Sequence, residues 1–251
     1  MKVLVTGANG QLGYDVIKRL NALGDEPVGA DRKEFDITES KATEDYITAL
    51  RPDAVVHCAA YTAVDKAEDD RDTCRRVNVD GTRNIALSCE KIGAKLVYIS
   101  SDYVFGGSGT QPLEINAPKD PQNIYGITKL GGEEEAKKCQ KHFIVRTSWV
   151  FGINGGNFVK TMLRLADSHE KLTVVDDQTG SPTYTPDLAR LICDMIKTEK
   201  YGTYHASNEG YCTWAEFAKE IMRQAGKATE IVPCTTAEYP AKAKRPENSR
   251  L

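Results

Sequence analysis

Short apolar runs alternate with longer amphipathic stretches over residues 1–150. Two of the runs, 54–58 and 95–100, are apolar without a clean alternation, which is typical of strands buried on both faces. Strands that alternate with helices in this way indicate βαβ units and a parallel sheet. The predicted strands are 2–6, 27–30, 54–58, 95–100 and 142–147, and the predicted helices lie near 11–23, 40–51, 71–92 and 125–139.

The pattern changes after Trp149. Glycines interrupt the chain at 152, 155 and 156, and 176–183 has the composition of a loop. Further helices are predicted near 157–167, 185–197 and 213–225. We therefore expect an α/β protein with a doubly wound parallel sheet over 1–150 and a small C-terminal α/β lobe over 151–251. The lobe is expected to pack closely on the sheet and to be able to exchange segments with it.

The overall composition narrows the classes of function. Hydrophobic residues make up 40% of the chain, charged residues make up 27%, and the net charge is −3. A nucleic-acid partner is not expected, because such proteins usually present a basic face. No apolar run approaches the roughly 20 residues of a membrane helix, and the N-terminus carries no secretory signal. We therefore expect a cytoplasmic protein with no membrane partner.

The cysteines and histidines form no metal-binding pattern. The seven cysteines are odd in number and include no CxxC pair, and the four histidines are scattered. We expect buried free thiols, no disulfide framework and no metal site.

A glycine-rich turn follows the first predicted strand. Gly7, Gly10 and Gly13 stand three apart and lead into a predicted helix. The first can make the tight turn, the second lets the backbone approach a pyrophosphate, and the third permits close helix–strand packing. The GxxGxxG pattern also occurs in ordinary loops. Its position at the first strand-to-helix turn favours a Rossmann-type NAD(P)-binding domain, with the later lobe mainly binding substrate.

The end of the second predicted strand carries a candidate ribose ligand. Asp31 lies 24 residues after Gly7, where an acidic residue of a dinucleotide-binding fold would bind the adenosine ribose. Arg32 follows it directly and could accept the 2′-phosphate of NADP. The segment therefore leaves NADH and NADPH both open, and an ordinary charged surface turn is the alternative.

Tyr125 and Lys129 form a YxxxK pair at the start of a predicted helix. Residues four apart share a helical face, so the phenol and the ammonium can address one site. A cation near a phenol favours the phenolate, so we expect Lys129 to lower the pKa of Tyr125 toward neutrality. Ser101 ends a predicted strand, where parallel sheets bind ligands, and its hydroxyl could bond a carbonyl oxygen beside Tyr125. A plain surface helix is the alternative for the pair.

Several longer segments are more specific than these motifs. They are TGANGQLG, AAYTAVDKAE, NVDGT, SSDYVF, YGITKLGGE, RTSWVFG, NFVKTMLRLA, DDQTGSPT and RPENSRL, and they span the whole chain. In these segments the chain resembles the extended short-chain dehydrogenase/reductases, and within them it closely resembles the dTDP-4-dehydrorhamnose reductase family. AAYTAVDKAE and RTSWVFG are the most diagnostic.

The resemblance implies an oxidoreductase that uses NADPH or NADH. The implied reaction reduces the C4 keto group of dTDP-4-dehydro-L-rhamnose to dTDP-L-rhamnose, for rhamnose-containing polysaccharides. The implied catalytic residues are Ser101, Tyr125 and Lys129. The implied cofactor-binding residues are Gly7, Gly10, Gln11, Leu12, Asp31, Asp36, Ile37, Ala59, Ala60, Tyr61, Tyr125 and Lys129. The implied substrate-binding residues are Thr62, Val64, Ser101, Asp102, Tyr125 and Trp149.

Some features depart from the family or have two interpretations. Ser101 stands where the family usually has threonine, which keeps the hydroxyl, and the chain ends at Leu251, where similar proteins continue for about another helix. Asn78 resembles an asparagine that supports the site from behind, and helix capping is the alternative. Trp149 could stack on the sugar or pack in the core.

The resemblance also bears on assembly. Some members of the family dimerise through magnesium held by carboxylates, and Asp15 lies in the region concerned. The match is too short to predict a magnesium site, and we expect a monomer or a homodimer.

Three other functions remain open at this point. A nucleotide-sugar dehydratase would need a second carboxylate after Asp102, where this chain has Tyr103. A 4-epimerase of the same fold would retain its cofactor tightly through purification. A regulatory subunit that binds the cofactor without catalysis is the third alternative, against which the intact Ser101, Tyr125 and Lys129 argue.

Overall fold

The computed structural model describes all of residues 1–251. The strands are β1 (Lys2–Thr6), β2 (Glu26–Ala30), β3 (Ala54–His57), β4 (Lys95–Ser101), β5 (His142–Thr147), β6 (Val150–Phe151), β7 (Lys171–Val175), β8 (Thr179–Gly180), β9 (Thr183–Tyr184), β10 (Gly202–His205), β11 (Cys212–Thr213), β12 (Glu230–Cys234) and β13 (Asn248–Ser249). The helices are α1 (Gln11–Ala22), α2 (Ser40–Leu50), α3 (Val64–Ala67), α4 (Arg71–Arg75), α5 (Thr82–Ile92), α6 (Ile124–Ala136), α7 (Phe158–Ala166), α8 (Thr185–Met195) and α9 (Trp214–Ala225).

The main sheet has six strands in the order β10-β5-β4-β3-β1-β2. Every neighbouring pair in it is parallel. The order reverses between β1 and β3, as in a doubly wound sheet, and helices cover both faces. The predicted Rossmann-type parallel sheet is therefore confirmed.

Alternate residues of the strands build two separate cores. Val3 and Val5 of β1 point to one face, where they pack with residues of α1 and α8 such as Leu20 and Ile192. Leu4 points to the other face and packs with residues of α2, α5 and α6. Side chains in a strand alternate between faces, so an apolar run without alternation fills both cores at once.

The C-terminal lobe has a smaller core of its own. It lies between the α7–α9 pair and the two-stranded β12–β7 sheet. Parts of the same segment return to the main sheet, because β10 pairs with β5 and α8 packs against α1. The division into a cofactor-binding part (1–150) and a mainly substrate-binding part (151–251) therefore stays a prediction.

Two features differ from the sequence prediction. The helix predicted at 71–92 is divided into α4, a π-helical turn at Arg76–Gly81, and α5. None of the strands β6 to β13 was predicted; five of them (β6, β8, β9, β11 and β13) are only two residues long, and the half-buried residues of β10 give a weak apolar signal. No helix combines the length and apolar character that crossing a bilayer requires.

Candidate functional site

A cleft of about 940 Å³ lies at the carboxyl ends of the main-sheet strands. It is at the upper end of the roughly 300–1,000 Å³ usual for ligand sites. Its walls include Thr6, Cys58, Ser101 and Thr147, which end or follow four different parallel strands. This is the crevice at which doubly wound sheets bind dinucleotides.

The glycine turn forms one end of the cleft. Gly7 has a φ of +66°, and a Cβ there would lie 2.7 Å from the backbone nitrogen of Ala59. A Cβ on Gly13 would lie 2.2 Å from the carbonyl oxygen of Gly7. Gly10 is the N-cap of α1 and offers no capping side chain, so the N–H groups of the first turn of α1 are available to a phosphate. Gly10, Gln11 and Leu12 all line the cleft, so this end fits a dinucleotide.

The predicted adenosine end also lines the cleft. Asp31 accepts hydrogen bonds from the backbone nitrogen of Asn9 at 3.1 Å and from its side-chain nitrogen at 2.5 Å. The Arg32 guanidinium is 3.1 Å from the Asp36 carboxylate and is largely exposed. Ile37 lies beside them in the same wall. This end of the cleft therefore offers both a carboxylate for a ribose and an exposed cation.

Ser101, Tyr125 and Lys129 meet in the same cleft, although they come from β4 and α6. The Ser101 hydroxyl donates to the Asp102 carboxylate at 2.8 Å and accepts from the Tyr103 amide at 3.2 Å. The Tyr103 ring packs edge-on against the Tyr125 ring, with centroids 5.4 Å apart. The three predicted catalytic groups therefore share one wall of the cleft, in which Ser101 and Lys129 are buried.

Local packing explains why α6 presents Tyr125 here. Asn123 caps the helix, and its side-chain oxygen accepts from the Gly126 amide at 2.8 Å. A Cβ on Gly126 would lie 2.3 Å from the carbonyl oxygen of Tyr103. Glycine at this position lets the first turn of α6 lie directly against the turn that follows β4.

Burial controls the pKa values of Tyr125 and Lys129. It raises the pKa of Tyr125 well above its usual range, while a hydrogen bond with Ser101 acts in the opposite direction. Burial also lowers the pKa of Lys129 to about 7, against the opposing influence of Glu133. Lys129 therefore carries a full charge for only part of the pH range, which weakens its pull on the phenol. The lowered Tyr125 pKa expected from the sequence is not found.

A buried ionic network lies behind Lys129 and was not predicted. Glu133, one helical turn later, accepts from Ser100 at 2.6 Å and from two nitrogens of Arg146 at 2.7 Å each. The Lys129 ammonium lies 4.3 Å from the centroid of the Tyr98 ring. The Tyr98 ring therefore borders the Lys129 ammonium, while side chains from β4, α6 and β5 form the ionic network behind it. Ser100, Glu133 and Arg146 stand in the segments SSDYVF, YGITKLGGE and RTSWVFG, but their separation along the chain gave no sign that they interact.

Asn78 has both of its amide atoms engaged. Its side-chain oxygen accepts from the Tyr61 amide at 2.8 Å, and its nitrogen donates to the Tyr61 carbonyl at 3.1 Å. The nitrogen also donates to the Thr128 hydroxyl at 3.0 Å, within the turn of α6 that carries the catalytic pair. Asn78 thus joins the segment after β3 to α6, and it does not cap a helix with its side chain.

The predicted site residues after β3 line the cleft with one exception. Ala59, Ala60, Thr62 and Val64 line it. Tyr61 is not among the lining residues, and its hydroxyl lies 3.4 Å from the Asp70 carboxylate. The side chain of Tyr61 turns toward the start of α4, and its contact with the cofactor stays a prediction.

The predicted substrate residues lie at the other end of the cleft. Asp102 is buried beside Ser101, and burial raises the pKa of its carboxyl to about 6. Trp149 stacks on Trp214, which also lines the cleft and was not predicted. No local pattern marks Trp214, which follows Trp149 by 65 positions in the chain.

Asp15 lies outside this cleft. Its buried carboxylate accepts a hydrogen bond from the Thr185 hydroxyl at 2.5 Å. The structure contains no group of three or more histidine, cysteine, aspartate or glutamate side chains able to hold a metal ion.

A parallel doubly wound sheet, a glycine turn and a serine–tyrosine–lysine wall define a dinucleotide-dependent oxidoreductase of the short-chain dehydrogenase/reductase class. Comparison with known proteins makes the assignment narrower. The family model described as the RmlD substrate binding domain matches residues 1–251. The chain belongs to this family.

Individual relatives support the same family assignment. The spore coat polysaccharide biosynthesis protein SpsK of Bacillus subtilis is 45% identical over 251 residues, covering 100% of this chain and 88% of the relative. The dTDP-4-dehydrorhamnose reductase of Salmonella typhimurium is 39% identical, with 100% and 89% covered. The crystal structure of dTDP-4-dehydrorhamnose reductase from Bacillus anthracis in complex with NADP is 46% identical, has a TM-score of 0.96, and covers 98% of this chain and 88% of that one. The resemblance expected from the sequence is confirmed.

Proposed function

We propose that the chain reduces the C4 keto group of dTDP-4-dehydro-L-rhamnose to give dTDP-L-rhamnose, a precursor of rhamnose-containing polysaccharides. The observation that carries the proposal is the convergence of Ser101, Tyr125 and Lys129 in one cleft between the glycine turn and Trp149. Curated relatives that align with this whole chain are named for this reduction.

The cofactor fits the glycine-turn end of the cleft. Gly7, Gly10, Gln11 and Leu12 would hold the pyrophosphate, and Asp31, Asp36 and Ile37 would surround the adenosine. Ala59 and Ala60 would lie along its middle. Reduced nicotinamide supplies a hydride when it is bound. NADPH is supported by the NADP bound in the Bacillus anthracis relative, and by Arg32 and Arg76 in this wall.

Tyr125 would donate the proton that completes the reduction. As the carbonyl carbon gains a hydride, negative charge develops on the oxygen, and a neutral phenol held beside it is the acid that it needs. The raised pKa of Tyr125 keeps the phenol protonated until that charge appears. Ser101 would donate a hydrogen bond to the same oxygen, and Lys129 would stabilise the phenolate that remains.

The substrate end would hold the sugar through Thr62, Val64, Asp102 and Trp149, all of which line the cleft. A dehydratase is not favoured, because position 103 carries a tyrosine packed on Tyr125 in place of a carboxylate. The seven cysteines are free thiols, which supports the proposal of a reducing, cytoplasmic location.

The purified chain tests the proposal directly. With dTDP-4-dehydro-L-rhamnose and NADPH, absorbance of NADPH should fall, and dTDP-L-rhamnose should form in equal amount. Tightly bound NAD in the purified protein, with interconversion of nucleotide sugars and no net oxidation of NADPH, indicates an epimerase instead. Binding of NADPH with no turnover indicates the regulatory alternative.

A further inference from the structure

The only two tryptophans of the chain lie face to face in the cleft. The rings of Trp149 and Trp214 are 3.6 Å apart between centroids and 13° from parallel. Trp149 follows β5, whereas Trp214 begins α9 in the C-terminal lobe. The stack therefore joins the main sheet to the lobe at the point where both border the cleft.

Trp149 has a backbone conformation that needs support. Its φ is +48°, in the left-handed region, which costs a bulky residue about 1–3 kcal/mol. Such strain persists only where the surroundings over-determine the conformation, and it collects at functional sites. The Trp149 carbonyl accepts from the Thr183 amide at 3.2 Å, which fixes the backbone on the lobe side.

Trp214 is held firmly enough to supply that support. Thr213 and Glu216 form a capping box at the start of α9, and the Thr213 hydroxyl donates to Asp176 at 2.5 Å. The Trp214 ring also packs on the Phe158 ring, with centroids 4.5 Å apart. The indole that contacts Trp149 is thus anchored by the lobe core.

Gly180, in β8, lies directly against the Trp149 ring. A Cβ at this position would lie 2.7 Å from Cε2 and 2.9 Å from Nε1 of Trp149. Gly180 pairs with Cys212 across the β8–β11 ladder, two residues before Trp214. One small sheet therefore carries the glycine that makes room for the Trp149 ring, and its strand β11 leads directly into the tryptophan that stacks on that ring.

We propose that Trp214 is a positioning residue for the sugar of the substrate. It fixes the Trp149 indole, and the two rings form an aromatic wall for the apolar face of a nucleotide-linked hexose. This inference rests on the proposed function, because that function places the sugar beside Tyr125 and Trp149. Indole rings bind such apolar faces well, since they present a large rigid surface at little conformational cost.

A pair of substitutions at Trp214 tests the wall. Trp214→Leu keeps bulk and loses the ring stack, whereas Trp214→Phe keeps an aromatic ring. The leucine variant should raise the KM for the keto sugar roughly tenfold, with kcat and the Kd of NADPH changed by less than about threefold. The phenylalanine variant should recover most of the wild-type KM. An unchanged sugar KM in the leucine variant, or an equal loss of NADPH affinity, overturns the proposal.

Gly180→Ala provides a second route that alters neither tryptophan. Its new methyl group would displace the Trp149 ring, so the exciton signal of the stacked indoles in circular dichroism should weaken and the sugar KM should rise. If the signal weakens while the KM stays unchanged, or if both stay unchanged, the proposal is overturned.

Binding of the product separates this inference from the proposed function. If the wild-type chain does not reduce the keto sugar, the proposed function fails, but dTDP-L-rhamnose can still be titrated against tryptophan fluorescence. Weaker binding by Trp214→Leu than by wild type supports the wall. Equal affinity, or binding by neither protein, overturns it.

Discussion

The two ends of the cleft are built in different ways. At the cofactor end, backbone geometry sets the shape, since Gly7 and Gly13 are placed where a Cβ would collide with main-chain atoms. At the substrate end, side chains set the shape, with Trp149 stacked on Trp214 from a separate core. The cofactor end can therefore be recognised from short motifs, whereas the substrate end depends on contacts between segments far apart in the chain.

The main sheet and the lobe also differ in where their charged groups lie, which should affect stability. The main sheet encloses buried polar groups such as His57 and the Glu133–Arg146 pair. The ion pairs of the lobe are at its surface, as between Lys171 and Glu230, at 2.8 Å with both side chains more than half exposed. Substitutions in the sheet should thus be costly, while those at the surface of the lobe should be tolerated.

The largest expected effect is on catalysis. Tyr125→Phe removes the proposed proton donor and should lower kcat by about 10²–10⁴-fold while NADPH still binds. Tyr61→Phe is the matched control, because this phenol lies outside the cleft lining. Steady-state kinetics and a cofactor titration on both variants check it. Comparable losses in the two variants would mean that the phenol of Tyr125 has no special role.

Replacing one buried and one exposed carboxylate tests whether the main sheet and the lobe differ in their tolerance of substitutions. Glu133→Gln leaves Arg146 buried without its counter-charge and should lower the free energy of unfolding by about 3–5 kcal/mol. Glu230→Gln should lower it by less than about 0.5 kcal/mol. Chemical denaturation measures both. Equal changes would remove the distinction between sheet and lobe.

Alanine substitutions at two glycines that line the cleft test how closely the backbone is packed at each position. Gly13→Ala puts a methyl group 2.2 Å from the Gly7 carbonyl oxygen and should cost about 2–3 kcal/mol of stability. Gly156→Ala in the lobe loop meets nothing within 4 Å and should change stability by less than about 0.5 kcal/mol. Thermal melts of the two variants compare them. A Gly13→Ala protein as stable as wild type would show that the turn has room to relax.

A smaller effect concerns acid stability. Burial lowers the pKa of His57 from 6.5 to about 3, so between these values the unfolded chain binds more protons than the folded one. Stability is therefore lost as the pH falls through this window, and His57 should account for roughly 2 kcal/mol of the loss between pH 7 and pH 5. His57→Asn should flatten that dependence in denaturation curves measured at both pH values. An equally steep loss would assign the effect to other groups.

Much of the main sheet could be predicted because its signals are local. The apolar runs of β1, β3 and β4 and the spacing of Tyr125 and Lys129 need only neighbouring residues. The strand β10 and the role of Trp214 could not, because each depends on a partner more than 50 positions away. The Tyr125 pKa was mispredicted for a similar reason, since burial of both groups outweighs their attraction and only the folded chain reveals that burial.

The central claim is that a hydride reaches C4 of a keto sugar beside Tyr125. The most direct measurement uses NADPH that carries deuterium at the transferred position of its nicotinamide, with dTDP-4-dehydro-L-rhamnose as substrate and nuclear magnetic resonance of the product. The account predicts one deuterium, bonded to C4 of the rhamnose ring. A product with no deuterium at C4, or with deuterium at another carbon, would contradict it.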